Sequence, residues 1–193
     1  LAFDKTSWRP TYYTNVSELQ LPKYQKEISN YLKAVHTFDF LAKKITAIEA
    51  QGWPNLGRIS LKPHRKTTFS PDVARGCYGG FTVTFANLQF AVHLGLNPIY
   101  LIGCDHSYND QPKEVAPNSI LEAKSCSDHF TKGYREPGEP INPACINLMN
   151  LAFIHAKVYA KFNGIKILNA TRGGKLEIFE RVNLNDLFNF SRT

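Results

Sequence analysis

Pro98-Ile99-Tyr100-Leu101-Ile102-Gly103-Cys104-Asp105-His106-Ser107 is the stretch on which the fold turns. Its continuous apolar part fits a central parallel strand, buried on both faces. It then breaks abruptly into a carboxylate, an imidazole and a hydroxyl. Open parallel sheets place ligands beyond the carboxyl ends of their strands, so Asp105 and His106 stand where chemistry is expected.

Upstream, Gly76–Gly80 forms a glycine-rich turn, and the apolar residues Val83, Phe85, Leu88, Phe90, Val92 and Leu94 predict a helix from about Thr82 to Leu94. Gly95 is its stop signal. A helix apolar on most sides should be covered on both. Downstream, residues 107–140 read as a long polar loop, a length that suits a functional segment. Asn142 and Pro143 open a second helix that runs to about Phe162, with Ile146, Met149, Ala152, Phe153, Ala156, Tyr159 and Ala160 on one face. Gly164 ends it, and Ile165–Asn169 forms a strand that stops at Ala170-Thr171-Arg172-Gly173-Gly174-Lys175. Helices alternating with strands in this order predict a parallel sheet with right-handed crossovers.

Residues 1–75 differ in character. Pro10, Pro22, Gly52, Pro54, Gly57, Pro63 and Pro71 interrupt them. One long helix is predicted between Lys23 and about Ala50, because Ile28, Leu32, Val35, Phe38, Leu41 and Ile45 recur every three or four positions. Short strands are expected at Pro10–Val16 and around Ile59-Ser60-Leu61.

The chain has 193 residues, the size of one domain, with 43% hydrophobic and 12% aromatic residues. It is therefore a folding chain rather than a disordered one. No apolar run approaches the roughly 18 residues that span a bilayer. The net charge of +7 favours anionic partners. Lys62-Pro63-His64-Arg65-Lys66 concentrates part of it, either as a solvated loop or as a peripheral contact with an anion or membrane surface. No nucleic-acid-binding module is recognisable. Cys77, Cys104, Cys126 and Cys145 show neither C-x-x-C pairing nor zinc-ligand spacing, so no metal ligand is assigned; they read as reduced thiols of a cytoplasmic protein.

The candidate site residues follow from these positions. Gly79 and Gly80 let backbone amides approach a phosphate before a helix N-terminus, and Thr82 and Thr84 either cap that helix or donate to the ligand. The alternative is a turn needed only for chain reversal. The G-x-x-x-x-G-K-[ST] and G-x-G-x-x-G spacings are both absent. Asp105 can accept from a sugar, hold a metal or act as a base; otherwise it caps or pairs structurally. His106 and His129 titrate near neutrality and can serve as acid or base. Arg172 and Lys175, in a glycine turn, can clamp a phosphate or simply be solvated. Tyr78 can stack on a base or pack. His36, His93 and His155 fall on predicted helices and read as packing or surface residues.

Gly79-Gly80-Phe81-Thr82-Val83-Thr84, Gly95 to Ser107, Asp128-His129-Phe130 and Asn169 to Leu176 together resemble the 6-hydroxymethylpterin diphosphokinase-like (MptE-like) family. Leu1–Thr6 and Trp8–Tyr13 fit it as well, so the resemblance covers most of the chain. That family resembles in turn the bacterial sialyltransferases that use a cytidine-monophosphate-activated sugar. A glycine turn precedes a buried helix in both, and a strand ends in Gly-x-Asp.

The resemblance implies a single three-layer Rossmann-like α/β domain over 1–193 with a mainly parallel sheet. By it, Gly79, Gly80 and Thr82 would face a nucleotide and Asp105 the sugar or acceptor. The family's Gly-Asn-Gly-Pro-Ser-type nucleotide loop is missing, and the chain is expected to start just after it. The sialyltransferase histidine would fall near Gly133 or Tyr134, not on His129.

Three functions stand as expectations. The first is a glycosyltransferase-like enzyme of surface-glycan assembly, with a nucleotide-activated sugar as donor and a glycan as acceptor. The second is a pterin pyrophosphokinase using ATP and magnesium, with Asp105 and Asp110 as ligands. The third is a non-catalytic module of a larger glycan-assembly protein.

Overall fold

A computed structural model of the chain describes residues 7–8, 10–15, 23–24, 36–39, 56–58, 68–109, 111–112, 115–117, 119–123 and 136–192. These residues have a loosely α/β organisation with mainly parallel pairing. Strands β1 (Tyr12–Asn15), β2 (His36–Asp39) and β3 (Leu56–Arg58) form one parallel sheet in that order. Helix α1 (Val83–His93) leads to β4 (Ile99–Leu101), and α2 (Ile146–Phe162) leads to β7 (Ile167–Asn169) and β8 (Glu180–Arg181). The second sheet has the order β4-β7-β8 and is also parallel. Between them, β5 (Leu121–Glu122) and β6 (Pro140–Ile141) form a small antiparallel ribbon inside the stretch expected to be all loop.

Both helices stop where their glycines predict. Gly95 (φ 73°) donates to Val92 O and Leu96 to Ala91 O, closing α1 with a left-handed cap. At the end of α2, Gly164 (φ 66°) plays the same part and Ile165 donates to Ala160 O. Asn97 then ties the two exits together. Its amide donates to Gly164 O and its carbonyl accepts from Lys166, each at 3.0 Å. The strands that follow therefore start side by side, and Ile99 pairs with Ile167.

α1 is covered on two sides, as its pattern predicts. Phe85 and Leu88 enter the core with Leu101, Met149, Phe153, Ile167, Leu176 and Phe179. Phe90 meets the Tyr12 ring of β1 edge-on at 5.4 Å. Ala152, Ala156 and Ala160 recur every four residues on α2 and are buried, so the helix backbone can approach closely. Full burial of a ring such as Phe85 or Phe153 contributes about 2–3 kcal/mol.

Several expectations are corrected. The long helix from Lys23 to about Ala50 is not formed as such: Lys23 and Tyr24 are helical, but His36–Asp39 is a strand between β1 and β3. Thr37 and Phe38 favour a strand, and one apolar residue on a strand can still fall on a three-to-four spacing. His36 thus sits on a strand. The Pro98–Cys104 run is not a strand buried on both faces. Only Ile99–Leu101 is extended, β4 pairs on one side only among the described residues, and Tyr100 and Ile102 are 40% and 60% exposed. Here β7 holds the middle position. Helix α2 begins at Ile146 rather than Asn142, because Pro140 and Ile141 are held in β6 and Gln111 brackets Ala144 through both backbone groups. The strand expected at Ile59–Leu61 lies outside the described residues; the neighbouring Leu56–Arg58 forms β3. No described helix is long and apolar enough to cross a membrane.

One buried polar side chain orders the approach to α1. Gln89 is fully buried and uses both ends of its amide. Its carbonyl accepts from the Ser70 and Tyr78 amides at 3.0 Å each, and its NH2 donates to Tyr78 O at 2.8 Å and Phe85 O at 3.1 Å. Gln89→Leu keeps the volume but strands buried amide groups. Urea unfolding should show a loss of about 3 kcal/mol. A loss under about 1 kcal/mol would mean that water replaces the amide.

Candidate functional site

The loops after β4 and β7 meet at one rim. The Cys104 N–H donates to Thr171 Oγ1 at 3.0 Å. The Lys175 N–H donates to Asp105 O at 2.7 Å. Gly174 (φ 78°) lies so close that a Cβ there would stand 2.7 Å from Asp105 O and 2.9 Å from Asp105 Cα. Only glycine fits both the left-handed backbone and this approach.

The first turn of α1 joins them. Thr82 caps the helix, its hydroxyl oxygen accepting from the Thr84 amide at 3.3 Å. The Thr84 side chain lies beside the Cys104 thiol, which itself points to Ile102 O at 3.9 Å. Burial pushes the Cys104 thiol up; the Thr84 hydroxyl opposes this and the Asp105 charge adds to it. Cys104 is therefore a neutral thiol at neutral pH and acts as a contact between segments, not as a nucleophile.

The glycine turn has a packing role of its own. Gly80 (φ 57°) packs so tightly on the Phe85 ring that any Cβ would collide with it, and Phe81 follows with φ 62°. Tyr78 is held from both sides by Gln89. Gly79 O accepts from the Thr82 amide at 3.2 Å.

Asp105 is exposed at the rim. Its side chain thus avoids the desolvation cost that a buried strand end would impose. His106 (φ 52°) turns back onto α2, where its Nε2 lies 2.7 Å from Asn150 Oδ1. As the amide is oriented, Nε2 carries the proton and Nδ1 is the basic nitrogen of the neutral ring. The Phe153 and Tyr108 rings stand edge-to-face with it, their centroids 5.7 and 6.1 Å from its own.

The turn after β7 is closed at its base by Asn169. Its NH2 donates to Leu176 O at 2.8 Å and its carbonyl accepts from the Thr171 amide at 3.0 Å. Lys175 is exposed, and Arg172 donates to Asn185 Oδ1 at 3.1 Å.

The described site thus brings Asp105 and the Arg172–Lys175 turn together, with His106 adjoining α2 and Thr82, Tyr78, Gly79 and Gly80 at the start of α1. His129, Asp110 and the Lys62–Lys66 run lie outside the described residues. Sequence reasoning passed over Asn150 and Arg181. Thr84 was read as a cap or ligand donor, and Asn169 and Thr171 lie in the segment singled out at the end of the second strand. Asn150 carried no such signal, because a polar residue on a helix reads as solvated. Among the described residues, no three His, Cys, Asp or Glu side chains cluster in a way that would hold a metal ion.

Comparison with protein-family models, with curated proteins and with solved structures gives no match.

Gly173 and Gly174 provide a matched test. Both have positive φ, but a Cβ on Gly173 would meet nothing within 4 Å. Gly173→Ala should cost about 1 kcal/mol for the backbone alone. Gly174→Ala should cost about 2–3 kcal/mol, because the Asp105 backbone must also move. Equal losses by urea unfolding would show that the two loops are not in contact.

Proposed function

We propose that this rim binds a nucleotide-activated sugar and transfers the sugar to a glycan hydroxyl. The observation that carries the proposal is the meeting of two polar loop tips at the carboxyl end of a parallel sheet, Cys104 on Thr171 and Lys175 on Asp105, with the Thr84 side chain beside the Cys104 thiol. Chain reversals at that end of a sheet are where α/β domains hold phosphorylated ligands.

The two parallel sheets, with orders β3-β2-β1 and β4-β7-β8, are read as halves of one doubly wound, three-layer sheet. The bond from Thr14 Oγ1 to Asn87 Oδ1 at 2.6 Å and the Tyr12–Phe90 contact support this by seating α1 against β1. The crevice would lie between β1 and β4. The resemblance of Gly79–Thr84, Gly103–Ser107 and Asn169–Leu176 to the MptE-like family and its sialyltransferase relatives points the same way.

The chemistry follows from the side chains available. The acceptor hydroxyl oxygen attacks the anomeric carbon and loses its proton to His106 Nδ1. Asn150 holds the other ring nitrogen. The bond between the anomeric carbon and the phosphate oxygen breaks, and the phosphate leaves with the electron pair. Arg172 and Lys175 offset its charge. Asp105 accepts from the sugar or acceptor hydroxyls.

Calorimetry with cytidine and uridine nucleotides is the direct test. A cytidine nucleotide should bind, and Lys175→Ala should weaken it by about tenfold. His106→Gln should leave nucleotide binding intact while abolishing transfer. Rejection of every nucleotide overturns the proposal. Magnesium-dependent consumption of ATP with a hydroxymethylpterin would replace it with pyrophosphate transfer.

A further inference from the structure

Arg181 is bound in an unusual way for an exposed cation. Its Nη1 donates to Gly173 O at 2.7 Å and to Thr171 O at 3.3 Å, and its Nη2 donates to Gly174 O at 3.1 Å. Its Nε donates to both carboxylate oxygens of Glu177, at 2.9 and 3.0 Å. One guanidinium thus gathers three carbonyls of the turn, and Glu177 fixes the guanidinium.

A trans peptide points its carbonyl and the following N–H in opposite directions. With the carbonyls of Thr171, Gly173 and Gly174 drawn towards Arg181, the N–H groups of Arg172, Gly174 and Lys175 face the other side of the turn. The Lys175 N–H is taken by Asp105 O. Among the described residues, no protein group accepts from the N–H of Arg172 or Gly174, and both residues are exposed. Backbone amides that face one side of a turn with left-handed residues can bind an anion. Here Gly173 and Gly174 have φ of 68° and 78°, and the guanidinium of Arg172 donates to Asn185 Oδ1.

We propose that the Thr171–Lys175 turn is a phosphate cradle whose backbone donors are the Arg172 and Gly174 amides, and that Arg181 is the positioning residue that presents them. The inference rests on the transferase reading for its natural ligand, the phosphate of a nucleotide donor. It adds a residue that touches no ligand. Glu177 stays ionised, because Arg181 holds its carboxyl below the usual range, but the same guanidinium pairs with it at 2.7 Å and offsets its charge. Asp105 is the remaining acidic residue bonded to the turn, and its contact is made through its backbone carbonyl.

The test is an amide proton–nitrogen NMR titration of the whole chain with inorganic pyrophosphate. The Arg172 and Gly174 signals should move saturably. Arg181→Lys keeps the charge but cannot span three carbonyls, so its affinity should fall by about tenfold while the thermal midpoint shifts little. Unmoved Arg172 and Gly174 signals in the unaltered protein overturn the cradle, whether or not the variant folds. Undiminished affinity in a folded Arg181→Lys protein overturns the role of Arg181. Pyrophosphate binding with every nucleotide rejected leaves the cradle standing and removes the transferase reading. Nucleotide binding that bypasses these amides does the reverse.

Discussion

The bare backbone of Gly174 against the backbone of Asp105 is the contact on which the candidate site depends. No side chain fits between them. The loops after two neighbouring strands are thereby locked to a single separation, and the 2.7 Å bond from Lys175 to Asp105 O follows from it. Without this approach, an exposed carboxylate and a pair of cations would be three unrelated surface charges. With it, they share one rim.

Buried polar side chains do much of the ordering around that contact. Asn169 and Thr171 are buried beneath the turn, and Gln89 beneath the approach to α1. Each uses its polar atoms on backbone groups of a loop rather than on another side chain. A satisfied amide in a dry interior fixes direction as well as position, which apolar packing does not. The apolar core around Phe85, Phe153 and Leu176 supplies cohesion, while these amides and hydroxyls decide where the loops emerge.

The sequence made the second half of the chain legible and the first half much less so. Gly95 and Gly164 announced both helix ends because a left-handed cap has few alternatives to glycine. Ile167–Asn169 and its polar exit were visible as a short apolar run followed by turn residues. The strand at His36–Asp39 was hidden because apolar spacing cannot separate a helix from a strand that happens to share its period. The exposure of Tyr100 and Ile102 was hidden for a different reason: an apolar run records the residues available for burial, not which neighbours arrive to bury them. Asp105, His106, Arg172 and Lys175 were found from position along the chain. Asn150 and Arg181 were not, since their partners lie on other elements or on backbone atoms, which leave no mark in residue type.

The meeting of the α1 turn with the β4 loop can be tested by chemistry at a native thiol. The Thr84 side chain lies beside the Cys104 thiol, so Thr84→Cys places two sulfurs near each other. Mild oxidation followed by peptide mapping should recover a disulfide between positions 84 and 104 in most of the folded protein. Thiols at these two positions that stay free, or that pair instead with other cysteines, would contradict a shared rim.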